Sequence, residues 1–374
     1  MTLNRRHFLF GTLAAPALAA KKRVTVERPN ILLIVTHDLG AYMLGCYGNK
    51  EVRTPNIDRL AQIGVRFANN FCTVPASSAS TAELQEAKLS EALAAAGYNC
   101  GPSSANAGEF LDAQTPAKPF FLTVALSSPF AVSIPQKNLD LYAATNFESI
   151  GWEPVAPNAT HKEMLADVPG NLRKYAAGLT AVDEQIAAPL SKVHERGLSD
   201  NTLIIFISGN GYLLGRHGLW GDGTASEPVN LYEEVVRAPM IWSWPARFPP
   251  QTVRNDVVSS YDLLPTVCEL TGAAPPAGRI QAGGSYLPFV YGRRMPKKRT
   301  WPGIAFGRLR NTEMARDDRY KLILREQGKG PNELYDEVTD PGEKTNQYDN
   351  PQFVSVRDQL AAALSTWRGQ NPPR

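Results

Sequence analysis

Three stretches of the 374-residue chain carry side chains able to do chemistry. His37-Asp38 follows the apolar run 31–35, and Gly209-Asn210-Gly211 follows the apolar run 203–207. Between them in sequence lies a hydroxyl-rich stretch, Thr73-Val74-Pro75-Ala76-Ser77-Ser78-Ala79-Ser80-Thr81. Short apolar runs bounded by Pro, Gly or Asn read as buried strands, and in open α/β sheets ligands bind beyond the carboxyl ends of such strands. A carboxylate, an amide and a hydroxyl brought to one sheet edge could hold a hard cation and, with it, an anionic ester. Each stretch also has a plainer use. Ser80-Thr81-Ala82-Glu83 is a helix-start capping box. The spacing Gly209-x-Gly211-x-x-x-Gly215 imitates a dinucleotide loop without the amphipathic helix and later acidic residue that such a loop needs. His217, in Gly215-Arg216-His217-Gly218, reads on its own as a loop histidine.

The elements that must position these residues follow from periodicity. Strands are expected at 31–35, 120–126, 203–207 and 240–242, in a largely parallel sheet. Tyr175, Leu179, Val182, Ile186, Leu190 and Val193 recur at helical spacing, with Gly197 as the stop and Pro189 as an expected kink. Leu84, Leu89, Leu93 and Ala96 before Gly97 mark a second helix. Alternating strands and helices give an α/β domain over 28–280. After the Pro/Gly-rich stretch 273–284, paired strands at 319–325 and 333–336 and a closing helix through Phe353, Val356, Leu360, Leu364 and Trp367 make a small α+β subdomain, 285–374.

Composition excludes several classes. With 43% hydrophobic and 20% charged residues the chain is globular rather than disordered. A formal net charge of +3 argues against a nucleic-acid binder. The N-terminus reads as an address: Arg5-Arg6 precede an apolar run, 8–20, that is too short to span a bilayer and ends in Ala17-Leu18-Ala19. Residues 1–20 are therefore expected to be a signal peptide of the twin-arginine type, directing export to the periplasm or the medium. No membrane span is expected in the mature chain, which without those two arginines is nearly neutral. Cys46, Cys72, Cys100 and Cys268 form no metal-binding spacing, and no disulfide is expected.

From residue 28 to 373 the chain resembles the sulfatase family of the alkaline phosphatase superfamily. The resemblance is carried by Arg28-Pro29-Asn30 through Thr36-His37-Asp38-Leu39-Gly40, by Gly45-Cys46-Tyr47-Gly48 and by Thr54-Pro55-Asn56-Ile57-Asp58-Arg59-Leu60. It continues through Thr180-Ala181-Val182-Asp183-Glu184-Gln185, Arg196-Gly197-Leu198, Gly218-Leu219-Trp220, Leu231-Tyr232-Glu233-Glu234 and Tyr261-Asp262-Leu263-Leu264-Pro265-Thr266. Arg319-Tyr320-Lys321-Leu322-Ile323, Glu333-Leu334-Tyr335-Asp336 and Asp340-Pro341 close it. What the resemblance implies is a large mixed, mostly parallel sheet flanked by helices, a small C-terminal antiparallel sheet with a helix, and descent from hydrolases of sulfuric esters.

The resemblance also assigns positions, and there the chain departs. The family holds Ca²⁺ with two aspartates after the first strand and an Asp-Asn pair after a later one. Here those places read His37, Asp38, Gly209 and Asn210, so only Asp38 remains as an anion. His37 would favour a transition metal instead. The nucleophile, a Cys or Ser converted to formylglycine, falls on Ser77. Ala79 and Thr81 replace the proline and arginine of the family's motif, and the expectation is no conversion. Phe130 replaces a histidine, Asp222 replaces a lysine, and no lysine or histidine follows Asn99-Cys100-Gly101-Pro102-Ser103. His217 matches a common family histidine and is carried over as a catalytic candidate. The chain is also shorter between Ala82 and Leu89 than its relatives. The expected function is an exported sulfatase-family protein, the scaffold of a sulfuric ester hydrolase that is catalytically impaired or inactive, recognising a sulfated small molecule or glycan. The alternatives are an active metal-dependent sulfatase and a decayed or misjoined reading frame. The sequence names no protein partner.

Overall fold

The computed structural model describes residues 28–76, 81–102, 107–276 and 283–371, with only the backbone at 81–85. The expected signal peptide at 1–20 and Ser77 to Ser80 lie outside the described residues, as do the side chain of Thr81 and Ser103. In chain order the strands are β1 (Asn30–Thr36), β2 (Val65–Phe71), β3 (Asn99–Cys100), β4 (Phe120–Ala125), β5 (Thr202–Ser208), β6 (Leu213–Leu214), β7 (Trp220–Gly221), β8 (Met240–Ser243), β9 (Thr252–Ser259), β10 (Ala305–Leu309), β11 (Thr312–Arg316), β12 (Tyr320–Arg325) and β13 (Glu333–Asp336). The α-helices are α1 (Pro55–Gln62), α2 (Thr81–Ala95), α3 (Ala107–Asp112), α4 (Gln136–Tyr142), α5 (Val168–Glu195), α6 (Glu233–Val236), α7 (Leu263–Thr271), α8 (Leu287–Val290) and α9 (Val354–Gln370).

Seven strands form one sheet in the order β3-β4-β1-β5-β8-β2-β9. Only β8 runs against the rest, pairing antiparallel with both β5 and β2. Period-two alternation explains why β1 and β5 read as continuous apolar runs. Leu32, Ile34 and Phe206 enter the core on one face, with Leu172, Tyr175, Leu179 and Val182 of α5. Ile31, Leu33, Leu203 and Ile205 enter the core on the other, with Leu89 and Leu93 of α2 and Leu264 and Val267 of α7. Both faces are covered, so both parities must be apolar.

Of the strands absent from the sequence reading, β2 and β9 are the two long ones in the main sheet, and they are less apolar than its centre. Arg66, Asn69 and Asn70 interrupt β2, and Arg254, Asn255 and Asp256 interrupt β9. Their pairing with each other and with β8 supplies what their composition does not advertise. Helix α5 starts seven residues before Tyr175, because Asp167 accepts the Gly170 N–H at 3.0 Å and caps it. Pro189 lies within the helix and does not end it. The C-terminal sheet has order β10-β11-β12-β13, all antiparallel, and packs Leu322 and Leu334 against Leu360, Leu364 and Trp367 of α9. Among the described residues no helix is long and apolar enough to cross a membrane.

Candidate functional site

Strands β1 and β5 are neighbours, with Thr36 opposite Ser208. The residues that follow each are therefore side by side: Gly209 N–H donates to the Thr36 carbonyl at 2.8 Å and Leu39 N–H to the Asn210 carbonyl at 3.1 Å. At this edge the Asp38 N–H donates to Asn210 Oδ1 at 3.2 Å, and Asn210 Nδ2 donates to Asp38 Oδ1 at 2.9 Å. Asn210 Nδ2 also reaches the Gly211 carbonyl at 2.8 Å. Asp38 takes a left-handed backbone conformation, φ 58°, fixed by these bonds and by Tyr175, whose hydroxyl donates to the Asp38 carbonyl at 2.7 Å. Asp38 and Asn210 are both buried. The structure thus brings together the two residues that the strand ends deliver and bonds them to each other.

Gly211 is there for space. Its N–H donates to the Val235 carbonyl at 2.8 Å, and a Cβ at this position would lie 2.0 Å from the Glu234 carbonyl oxygen. The glycine spacing that imitates a dinucleotide loop thus serves a close backbone approach.

Phe130, 40% exposed, stands over an aromatic group: its ring centroid is 5.0 Å from Tyr175, 4.7 Å from Tyr212 and 6.3 Å from Trp220. Burial pushes the Tyr212 phenol well above its ordinary range, and the charges of Asp38 and then Asp222 push it further. The same phenol thus feels both carboxylates. Asp222 Oδ1 accepts the Thr224 N–H at 2.8 Å and its hydroxyl at 2.7 Å, which locks a carboxylate into the turn after β7. Burial raises the thiol of Cys72 to about 12, and Asp222 contributes to that rise, so this thiol is not a nucleophile at neutral pH.

His217 belongs to a different cluster. Its ring stacks on Tyr232, with centroids 3.7 Å apart and planes within 7°, and its Nε2 lies 3.2 Å from Glu234 Oε2. Arg216 holds the other Glu234 oxygen at 2.9 Å. Burial raises the Glu234 carboxyl, but His217 and Arg216 outweigh it and the net shift is downward. The His217 N–H donates to Glu153 at 3.2 Å. The side-chain partners of His217, Tyr232 and Glu234, thus lie on the segment whose backbone abuts Gly211, and neither is Asp38 or Asn210.

Several motifs that carry the resemblance prove to be structural. Asp183 accepts the N–H of Ile57 at 2.8 Å and that of Asn56 at 3.1 Å, satisfying the free donors at the start of α1. Asp58 accepts the Cys46 N–H at 2.6 Å. Ser259 and Asp262 form a reciprocal capping box ahead of α7. Sequence reasoning missed the buried Glu233–Arg316–Lys321–Glu343 network, whose signal was a charged residue, Arg316 or Lys321, in each of the strands β11 and β12.

The donor set at Asp38 does not fit the calcium that the family implies. Asp38 is its one carboxylate, Gly209 has no side chain, and Asn210 Oδ1 accepts a backbone N–H. Calcium takes six to eight oxygen ligands, preferably charged. His37 Nδ1 is buried and has no hydrogen-bond partner. Among the described residues the one group of three side chains able to share a cation is His217, Glu234 and Glu343, with ligand atoms within 4.8 Å of one another. Arg216 already pairs with Glu234 and Lys321 with Glu343, so both carboxyl groups have a cationic partner without a metal.

Comparison with known proteins agrees with this architecture. The Sulfatase family model matches residues 29–99 and 94–273, and the model for the C-terminal part of N-sulphoglucosamine sulphohydrolase matches 227–370. The chain is 24% identical to an ulvan-active sulfatase of Formosa agariphila over 94% of its length and 82% of the relative's. It is 24% identical to the N-acetylgalactosamine-6-sulfatase of Canis lupus familiaris, covering 72% of this chain and 67% of that protein. A solved structure in complex with D-glucosamine-2-N,6-O-disulfate superposes with a TM-score of 0.76 at 20% identity, over 93% of this chain and 99% of the other. With fold, motif order and family models in agreement, the chain belongs to the sulfatase family.

Proposed function

We propose that this chain is an exported sulfatase-family protein that keeps the scaffold of a sulfuric ester hydrolase, binds a sulfated glycan, and does not hydrolyse it. The observation that carries the reading is the reciprocal pairing of Asp38 with Asn210, which engages one oxygen of each, beside Gly209, which has no side chain to offer a metal. Phe130 and Asp222 support it. An aromatic ring and a carboxylate stand where relatives place a histidine and a lysine, so the developing charge of sulfate transfer meets no cation there. Removing a single such donor costs about 2.7–4 kcal/mol of transition-state stabilisation. Ser77, with Ala79 and Thr81 in its motif, stays an ordinary serine in this reading. The sulfated-sugar ligand is inferred from relatives named for such substrates. Export rests on Arg5-Arg6 and Ala17-Leu18-Ala19.

The test is direct. Purified protein, coproduced with a formylglycine-generating enzyme, is incubated with calcium and with an aryl sulfate, ulvan or heparin, and free sulfate is measured. No release above the blank is expected. Calcium-dependent release, with formylglycine at residue 77 by mass spectrometry, would favour an active sulfatase.

A further inference from the structure

The whole-chain charge of +3 hides a local concentration. The segment Tyr291-Gly292-Arg293-Arg294-Met295-Pro296-Lys297-Lys298-Arg299 carries five cations. Arg293, Arg294, Lys297 and Lys298 are all exposed. Of the five, only Arg299 has a carboxylate partner among the described residues: its two terminal nitrogens reach Glu269 on α7 at 3.0 and 2.7 Å. Arg293 covers the Tyr291 ring at 5.1 Å. Four cations within six residues, without a carboxylate partner among the described residues, stand out on a chain otherwise close to balance.

The segment is held in place. The Arg293 N–H donates to the Pro288 carbonyl and the Arg299 N–H to the Pro296 carbonyl, both at 2.9 Å. Tyr291 packs edge-on against Phe248 at 5.2 Å, and a Cβ at Gly292 would touch Pro249 at 3.0 Å. The neighbouring turn 244–250 adds Arg247. Cations on an anchored backbone lose less entropy on binding than those on a free tail.

Its position follows from register. Ser243, the last residue of β8, pairs with Ile204 near the start of β5, whereas Asn210 follows the end of β5. The turn 244–250 and the cationic segment packed on it therefore lie at the sheet edge opposite Asp38 and Asn210, about 20 Å away along β5 at ~3.3 Å per residue.

We propose that this surface grips a sulfated polysaccharide at a second place, remote from the Asp38 edge, so that a long chain is held by charge while one of its residues visits the site. Basic clusters of this kind attract polyanions. The segment has no exposed aromatic ring on which a nucleic-acid base would stack. None of the large exposed hydrophobic side chains lies in it, so it has nothing to insert into a bilayer. What remains is a set of arginine forks and lysine charges on an anchored backbone, which match sulfate oxygens. The choice of a sulfated glycan rests on the functional reading above, whereas the existence of the anionic contact does not.

The test uses the full mature protein and heparin as probe, with binding measured by calorimetry and salt elution. The parent is compared with the variant Arg293→Gln, Arg294→Gln, Lys297→Gln and Lys298→Gln, and with a control that removes four exposed lysines elsewhere, Lys50, Lys118, Lys174 and Lys329, each to Gln. Circular dichroism verifies that both variants fold. The expected result is affinity weaker by about tenfold or more in the first variant only, with a shallower salt dependence. Equal affinity of parent and first variant, or equal losses in both variants, overturns the proposal. Competition by duplex DNA or phosphatidylserine vesicles as strong as that by heparin overturns the glycan assignment. Sulfate release plays no part in this readout, so detecting turnover would refute the inert reading and leave this one standing.

Discussion

Arg316 Nε donates to Glu233 Oε1 at 2.9 Å, and this buried bond ties β11 of the C-terminal sheet to α6 beside the main sheet. Lys321, fully buried, lies 3.5 Å from the same Glu233 oxygen and also contacts Glu343. The Glu233 N–H donates to Glu343 at 2.7 Å. Removing one partner of such a set leaves a charge buried without compensation, which costs about 3–5 kcal/mol. Arg316→Met is therefore expected to lower the unfolding free energy by about that amount, read from urea denaturation. A loss under ~1 kcal/mol, the range of an exposed pair, would show that the network does not hold the two parts together.

The same network sets a pH dependence. Burial pushes the Glu343 carboxyl up to about 8 and that of Glu337 to about 7, because Lys321 and Arg316 cannot keep three neighbouring carboxylates ionised. Glu233 is opposite: burial opposes ionisation, but Arg316 and then Lys321 hold it down at about 2. Asp262, also buried, is raised to about 7. A carboxyl raised in the fold binds a proton that the unfolded chain releases, so its contribution is complete below about 4.5 and disappears as pH rises through 7 to 8. Glu233 contributes above about 4.5 and loses its contribution as pH falls toward 2. Stability should peak near pH 5 and decline toward pH 8.5. Glu343→Gln should flatten the alkaline limb in a melting-temperature scan; an unchanged slope would contradict the assignment.

Asp183 is expected to matter for folding and not for chemistry. Asp183→Ala leaves the Asn56 and Ile57 N–H groups at the start of α1 unsatisfied, at about 1–3 kcal/mol for a buried donor. Heparin affinity at 25 °C should be unchanged while the urea midpoint falls. Loss of binding in a folded variant would place Asp183 in a ligand site.

Much of the fold was legible because both faces of the central sheet are covered, which forces β1, β4 and β5 to be apolar throughout. Strands β2 and β9 escaped notice because Asn69, Asn70 and Asp256 break the run, and their stability comes from each other. Of the site, Asp38 and Asn210 could be placed together from the strand ends alone. That His217 serves Glu234 and Tyr232 could not, since its neighbours are distant in sequence. The cationic segment was hidden by averaging charge over the chain.

Restoring the nucleophile and the metal ligands together separates loss of ligands from loss of the pocket. His37→Asp, Gly209→Asp, Ser77→Cys and Thr81→Arg, coproduced with a formylglycine-generating enzyme, should bind calcium and still fail to hydrolyse an aryl sulfate. A sulfate oxygen about 4 Å from Asp222 would be repelled by roughly 1–4 kcal/mol, and Phe130 offers no charge to offset it. Turnover by this variant would show that those positions do not matter.

The most direct measurement is a calorimetric titration of the unmodified protein with calcium, run beside the His37→Asp, Gly209→Asp double variant. With Asp38 and Asn210 engaged with each other, the parent should show no stoichiometric binding. The double variant, which regains two carboxylates beside Asp38 and Asn210, should bind one ion. One calcium bound per parent chain would contradict the claim that this site has closed.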